Sequence, residues 1–160
     1  MVYIFIGADQ RRFEVLKATA MMSKLVCAMV EDEDTENDLE IPLPNVKSDT
    51  LERIIRFCVH HETYPMKEIE KPLKSSVMKE IVPEWDAEFI DGLSQPDLYD
   101  LILAANYMDF AYLLDLACAK VASTLKGKTS AEIRANMGIT EEFTPEEEAR
   151  IKEKYKTILT

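Results

Sequence analysis

The sequence predicts a mixed α/β domain that continues into a helical extension. Three observations support this prediction. Short segments rich in β-branched and aromatic residues occur in the first third of the chain, at residues 2–6, 12–15 and 39–43. Apolar residues between and after them recur at three- and four-residue spacing, which is typical of helices. From residue 94 onward, helix-capping patterns follow one another. We therefore place a domain at residues 1–126 and a helical extension at 127–160.

The chain begins with a pattern typical of a β-hairpin followed by a helix. Residues 2–6 and 12–15 are the two strands, and Gly7, Asp9 and Gln10 between them are turn residues. Over residues 18–30, apolar side chains repeat at helical spacing, which predicts one helix there.

A strongly acidic run separates these elements from the next strand. The run "EDEDTEND", residues 31–38, predicts a solvated loop, because a block of like charges cannot pack. The segment "LEIPL" (39–43) alternates as a strand does, and proline restricts it to the edge of a sheet or to the end of a strand. Leu51, Ile54 and Cys58 then indicate a helix whose N-cap is Ser48 or Asp49.

Prolines, lysines and glutamates break the pattern over residues 62–84, which predicts a long loop with one turn of helix. Trp85 and Phe89 after it share one helical face. Further helices are predicted at residues 98–107 and 110–126, and then in two short segments. Their boundaries rest on Ser94 with Asp97, Gly127, Thr129 with Glu132, Gly138, and Thr144 with Pro145 and Glu147.

Charge and composition exclude several classes of function. A net charge of −11 argues against nucleic acid and anionic membranes as partners, because phosphate groups would be repelled. No apolar run approaches the roughly 20 residues of a membrane span. The first residues are expected to form a strand rather than a signal peptide. Three cysteines, each in a helical apolar pattern, indicate a reducing compartment, and we expect the cytoplasm and nucleus.

The motifs of catalysis and cofactor binding are weak in this sequence, which predicts a protein that is not an enzyme and has no cofactor. The four glycines are isolated, so they form no phosphate-binding loop. His60 and His61 are adjacent, and on a helix they should point about 100° apart, which argues against a shared metal ion. A Cys58–His61 nucleophile pair would lack an orienting group.

The helical stretch at residues 101–125 is the most unusual feature of the sequence. Its formal charges are Asp109, Asp115 and Lys120, so it has almost no charged face. A helix at the rim of a domain usually has one. This pattern predicts a central helical pair with apolar surface on both sides. One side packs on the strand-containing half, and the other is covered by the tail or by another protein.

Seven segments in this order resemble one known family. The chain closely resembles the S-phase-kinase-associated (Skp) adaptor family, the F-box-binding subunits of SCF ubiquitin ligases. The matching segments are "IPLPNV" (41–46), "CVHH" (58–61), "WDAEF" (85–89), "LILAANYMD" (101–109), "LLDLAC" (113–118), "KGKTSAEIR" (126–134) and "FTPEEEARI" (143–151).

The resemblance implies a BTB/POZ fold, a three-stranded sheet flanked by helices, with C-terminal helices that embrace an F-box. It implies a non-catalytic adaptor that bridges a cullin scaffold and F-box substrate receptors for ubiquitin-dependent protein degradation. It places Asn106 and Tyr107 at the cullin contact. It places Leu114, Cys118, Val121, Leu125, Ile133, Ile139 and Phe143 on the F-box side.

The last helix adds Ile151 and Tyr155, an apolar stripe that we also assign to the F-box. Some lineages of the family carry a hydroxylated and glycosylated proline in the context "FTPEEE", which makes Pro145 a candidate for that modification. The tail departs from the family at Thr157, where the family carries a tryptophan.

Two alternatives share the fold. An elongin-C-like adaptor would serve a different box motif, but such chains end near the position of Lys126, and this chain continues. A self-associating BTB domain would use the same surfaces to form a homodimer. The sequence also leaves a weak homodimer of the free protein as an alternative.

Overall fold

The fold was obtained as a computed structural model that describes residues 1–31, 38–140 and 143–156. The chain divides into two compact units, Met1–Lys126 and Gly127–Thr160. The predicted acidic loop at 31–38 falls largely on residues 32–37, which lie outside the described residues. The same holds for Thr157. Among the described helices, none combines the length and apolar character needed to cross a bilayer.

The first unit contains a three-stranded sheet in the order β2-β1-β3. Strand β1 (Val2–Ile6) pairs antiparallel with β2 (Arg12–Leu16) and parallel with β3 (Leu39–Pro42), so the predicted hairpin is confirmed. Gln10 takes the left-handed φ of 67° that the turn requires. Strand β3 lies at the edge of the sheet. Pro42 has no N–H to donate, and at the edge this breaks no hydrogen bond between strands.

The rest of the first unit consists mainly of helices around this sheet. The α-helices of the first unit are α1 (Lys17–Ala20), α2 (Lys24–Val30), α3 (Ser48–Thr63), α4 (Glu84–Asp91), α5 (Gln95–Tyr107) and α6 (Ala111–Leu125). A single 3₁₀ turn, Met78–Glu80, precedes α4. The mixed α/β class with a three-stranded sheet is therefore confirmed.

The single helix predicted over residues 18–30 is wrong, because the chain forms α1 and α2 with a break between them. Ser23 causes the break: its hydroxyl accepts a hydrogen bond from the backbone N–H of Val26 and donates one of 2.6 Å to the carbonyl oxygen of Met108. A serine that caps a helix in this way starts a new one. The apolar spacing continues across the break, so periodicity did not reveal it.

The N-cap predicted for α3 is also wrong, by one residue. The helix begins at Ser48, and Lys47 is its N-cap. The Ser48 hydroxyl donates instead to the carboxylate of Asp9 in the hairpin turn. A side chain at Gly7 would place its Cβ 2.3 Å from the Ser48 hydroxyl oxygen, so this close approach requires glycine.

The core lies between the sheet and the helices and extends into α5 and α6. Tyr3 and Phe5 of β1 are buried, as are Phe57 of α3 and Leu101 of α5. Helices α5 and α6 pack against each other, and α6 also contacts α4. The long connection contributes as well, since Ile69, Met78 and Val82 are buried. Burial of this kind is the main stabilising term of a domain of this size.

The second unit consists of two short helices, α7 (Ser130–Met137) and α8 (Pro145–Lys154). Both predicted capping boxes are confirmed, because Thr129 and Thr144 each exchange hydrogen bonds with the glutamate three residues later. Gly138 ends α7 with a left-handed φ of 68°. None of the residues described in α7 and α8 is buried.

Candidate partner-binding surfaces

Helix α6 buries one face in the first unit and leaves the other open. Leu113, Leu116, Ala117, Ala119 and Ser123 are buried. The remaining apolar residues follow at spacings of four, three and four, which aligns them along one side of the helix. We call this side the α6 face; its residues are Leu114, Cys118, Val121 and Leu125. Cys118 is exposed and the other three are half-buried.

The open side of α6 was not decided by the sequence. Its two apolar stripes are almost equally free of charge, so periodicity alone allowed either to face outward. The structure buries the stripe with Leu116, Ala119 and Ser123. All four α6 residues named by the resemblance therefore lie on the side that remains accessible.

Asn106 and Tyr107 lie at the C-terminal end of α5, and both are exposed. Leu103, one turn earlier on the same side of the helix, is 69% exposed. A leucine so accessible is costly to hydrate, and next to Asn106 and Tyr107 it enlarges an apolar surface. The expectation that one side of this helical pair needs a separate cover stays a prediction, and Leu103 is a residue that such a cover would reach.

The candidate residues of the second unit are more accessible than those of α6. Ile139, Phe143, Ile151 and Tyr155 are exposed, and Ile133 is half-buried. The Arg134 guanidinium lies 5.6 Å from the centre of the Phe143 ring, within cation–π range. Pro145, the first residue of α8, is exposed. These side chains form no core of their own.

A buried polar network joins three helices of the first unit. The carboxylate of Asp86 in α4 accepts hydrogen bonds from His61 Nε2 of α3 (2.9 Å) and from the Tyr112 hydroxyl of α6 (2.6 Å). His61 Nδ1 lies 2.7 Å from the carbonyl oxygen of Tyr64. Both ring nitrogens of His61 therefore have a hydrogen-bond partner inside the fold.

The network contains the best candidate metal site in the described part of the chain. His60, His61 and Asp86 each offer a ligand atom within 4.8 Å of the others. The expectation that adjacent histidines point too far apart is wrong here, because the long side chains turn toward each other. However, both nitrogens of His61 and both oxygens of Asp86 already have hydrogen-bond partners. Binding an ion would require breaking these bonds.

The second chemical candidate, Cys58 with His61, lacks the geometry of a nucleophile pair. Both nitrogens of His61 are engaged by Asp86 and Tyr64 rather than by the thiol. Burial raises the pKa of the Cys58 thiol to about 12, with a smaller contribution from Glu62. The reactive thiolate is therefore disfavoured.

Comparison with known proteins shows which family has this sequence pattern. Two family models match the chain: "Skp1 family, tetramerisation domain" over residues 1–63 and "Skp1 family, dimerisation domain" over residues 111–158. A relative described as S-phase kinase-associated protein 1 homolog, from Tetrahymena thermophila, is 49% identical over 151 residues. The alignment covers 94% of this chain and 90% of the relative. The chain belongs to the Skp1 family.

Other Skp1 family relatives come from distant organisms. SCF ubiquitin ligase complex protein SKP1b of Dictyostelium discoideum is 41% identical over 146 residues, 91% of this chain and 88% of the relative. SKP1-like protein 1A of Arabidopsis thaliana is 39% identical, with 91% and 89% covered. The resemblance inferred from the seven segments is thus confirmed, and the fold is the POZ domain of the Skp1 family with a C-terminal helical region.

Some candidate residues lie inside a matched range and others lie outside both ranges. The α6 face and the candidates of the second unit fall within the Skp1 range 111–158. Asn106, Tyr107 and the long connection fall between the two ranges. Sequence reasoning missed two features in this gap: the exposed Leu103 and the packing of the connection on α6. The apolar residues Met66, Ile69 and Leu73 were a signal of the latter, but Pro65 and Pro72 interrupt their three- and four-residue spacing and so argue against a packed helix.

Proposed function

We propose that this Skp1 family chain is a non-catalytic adaptor of an SCF-type ubiquitin ligase. It would bind an F-box substrate receptor on one surface and a cullin scaffold on another, and so promote ubiquitin-dependent protein degradation. The observation that carries the proposal is the α6 face, an apolar side of a central helix that its own domain leaves partly accessible. Relatives named as SCF ubiquitin ligase complex proteins support it.

The F-box would bind the α6 face together with apolar residues of the second unit. Helix-in-groove recognition relies on anchors at three- and four-residue spacing, as Leu114, Cys118, Val121 and Leu125 provide. The second unit would contribute Ile133, Ile139, Phe143, Ile151 and Tyr155. Their accessibility supports this role, since apolar side chains left open in two short helices gain most by being covered.

The cullin would bind the end of α5, with Asn106 and Tyr107 in the contact. A tyrosine is well suited to an interface, because its ring buries a large area and its hydroxyl keeps a polar partner. Both residues are exposed and lie on a different helix from the α6 face. Two partners on two helices is the arrangement that a bridging protein needs.

The absence of catalysis belongs to this proposal. It is supported by the His61–Asp86–Tyr112 network, whose hydrogen bonds are satisfied within the fold, and by the raised pKa of the Cys58 thiol. We also propose the cytoplasm and nucleus as its location. Three free cysteines, in keeping with a reducing compartment, support that assignment.

Self-association is the competing function that an observation favours. The matched Skp1 family models are described as tetramerisation and dimerisation domains. An elongin-C-like adaptor is less consistent with a match that extends through α8. Sedimentation velocity of the free protein separates the two readings: a tight dimer that an F-box domain does not dissociate would favour self-association over the adaptor role.

Pro145 is proposed as a hydroxylation and glycosylation site. The proline is exposed and is the first residue of α8, where it has no N–H to lose from the helix. The intact mass of protein purified from its natural source tests the proposal. Added masses of one oxygen and of sugars on the peptide carrying Pro145 are expected, and a single unmodified species would rule it out.

Calorimetric titration with a recombinant F-box domain tests the main proposal. Val121→Lys puts a charge into the centre of the α6 face, where desolvation makes it costly, so binding should weaken at least about a hundredfold. Lys24→Glu, an exposed change on α2, is the control and should bind like the wild type. If Val121→Lys remains folded and binds the F-box domain unchanged, the α6 face is not the F-box site.

A further inference from the structure

The connection between α3 and the 3₁₀ turn lies along α6 rather than in solvent. We call residues 67–73 the strap. Its backbone N–H at Lys67 hydrogen-bonds to the Tyr112 hydroxyl near the start of α6. The amine of Lys71 lies 3.2 Å from an Asp115 carboxylate oxygen, one turn further along. Ile69 between them is 5% exposed. Polar contacts on both sides of a buried anchor fix the strap to the helix.

The strap and α6 enclose an apolar groove of about 420 Å³. Its walls are Ile69, Pro72 and Leu73 of the strap, and Cys118, Ala119 and Ala122 of α6 line the other side. Small side chains on the helix allow another chain to approach closely. The volume is within the ~300–1,000 Å³ of sites that bind small ligands and is large enough for several aliphatic groups.

The groove is continuous with the α6 face. Cys118 belongs to both, and Ala122 is adjacent in sequence to Val121. A chain that covers the α6 face therefore meets the groove at Cys118. Lys71, Asp115 and Lys126 are the charged groups of its lining. Asp115 pairs with Lys71, whereas Lys126 has no carboxylate partner within the described part of the chain. In a protein with a net charge of −11, this is a local site for an anionic group.

We propose that the groove binds a segment of the F-box partner that flanks its F-box and carries aliphatic side chains followed by a carboxylate. The aliphatic groups lie between Leu73 and Ala122, and the carboxylate pairs with Lys126. This inference rests on the proposed function and names a second, specificity-determining part of the same interface.

The location of the strap explains why the groove should discriminate among partners. Residues 64–110 lie between the two segments that match the Skp1 family models. The α6 face lies inside a matched segment, whereas the strap lies outside both, so the strap adds a second wall that is separate from the α6 face. Partners with an aliphatic flank would bind more tightly than those with a polar one.

A groove-filling substitution is the first test. Ala122→Phe on the full chain places a ring in the groove from an exposed helical position. Calorimetry with the recombinant F-box domain and its native flanks should show affinity reduced by about tenfold or more. Ala28→Phe, the same change at an exposed position of α2, is the matched control and should bind like the wild type. Circular dichroism confirms that each variant is folded.

Two further variants make the test independent of Ala122. Leu73→Ser removes an apolar wall without filling the groove, and affinity should fall about threefold to tenfold. Lys126→Glu should weaken binding more at low than at high salt, because the contact is electrostatic, while Lys24→Glu should not. An F-box domain without its flanking segments should bind all of these variants as it binds the wild type.

The outcomes separate the groove from the proposed function. If Val121→Lys abolishes binding while folded Ala122→Phe and Leu73→Ser both stay within about twofold of the wild type, the groove is not used and the inference is overturned. If Val121→Lys is also without effect, the proposed function itself fails. If Ala122→Phe instead dissociates a homodimer of the wild type and leaves F-box binding unchanged, a second copy occupies the groove, which also overturns the inference.

Discussion

At the scale of single residues, Tyr112 links three parts of the first unit through one hydroxyl group. The hydroxyl donates to Asp86 of α4 and accepts from the backbone N–H of Lys67 in the strap. Asp86 in turn holds His61 of α3. Removing the hydroxyl would leave a buried carboxylate with one donor fewer, which costs more than the loss of an exposed hydrogen bond.

The first prediction concerns Tyr112→Phe and pH. Burial, and then the hydrogen bond and negative charge of Asp86, raise the pKa of the Tyr112 hydroxyl above its usual range. The folded state therefore favours the neutral hydroxyl. Its contribution is fully present below the unfolded pKa of about 10 and is lost as pH rises toward the higher folded pKa.

Urea unfolding at a series of pH values measures this contribution. At pH 7 the variant should be less stable than the wild type by about 1–2 kcal/mol, the range of a hydrogen bond from a half-buried hydroxyl to a charged group. The difference between the two proteins should shrink above about pH 10. A difference that stays constant or grows with pH would show that Tyr112 does not act through its hydroxyl proton.

At the scale of elements, α6 shows what its sequence could and could not predict. Its length and position follow from apolar spacing and from Gly127, because both depend on local backbone geometry. The sequence does not predict which side of α6 is accessible, because a helix with almost no charged residues has no polar face to indicate the solvent side. Packing of Leu116 and Ala119 inside the first unit decides the question, and that packing depends on distant segments.

The break between α1 and α2 was missed because its cause is not local. The break at Ser23 depends on a hydrogen bond to Met108, 85 residues away, which no spacing can reveal. The long loop with one turn of helix was predicted correctly, as the 3₁₀ turn Met78–Glu80 shows, but the packing of the strap on α6 was not predicted. The capping boxes of α7 and α8 were predicted correctly, since each is complete within four residues.

The second unit leads to a prediction about α8. An isolated helix of fewer than ~12–15 residues is marginal in water, and α8 has no buried residue among those described. We expect its amides to exchange quickly with solvent in the free protein and slowly once an F-box covers Ile151 and Tyr155. Hydrogen exchange read by mass spectrometry measures both states. Equal protection with and without the F-box domain would remove α8 from the interface.

Truncation after Gly138 extends this prediction to binding. The shortened chain should remain folded, because its core lies within the unit Met1–Lys126. It should bind cullin but lose most of its affinity for the F-box domain, mainly through faster dissociation. Surface plasmon resonance gives both rates. Undiminished F-box affinity would show that the tail takes no part, and unfolding would show that the tail belongs to the core.

At the scale of the whole molecule, the proposed adaptor role needs two surfaces that can be occupied at once. The α6 face and the end of α5 lie on two helices that pack against each other in one unit. Substituting one surface should therefore leave binding at the other unchanged. A self-associating domain would not show this independence, because one partner, its own copy, would use both.

The most direct test is the mass of the assembly formed by the chain, an F-box domain and a cullin N-terminal domain in sedimentation velocity. The wild type should form one complex containing a single copy of each. Tyr107→Lys puts a charge into the proposed cullin contact. The binding free energy for the cullin should weaken by several kcal/mol, so that the cullin is lost, while the F-box domain stays bound. A Tyr107→Lys protein that is folded and still forms the three-part complex would contradict the placement of the cullin. A wild type that binds either partner but never both would contradict the adaptor role.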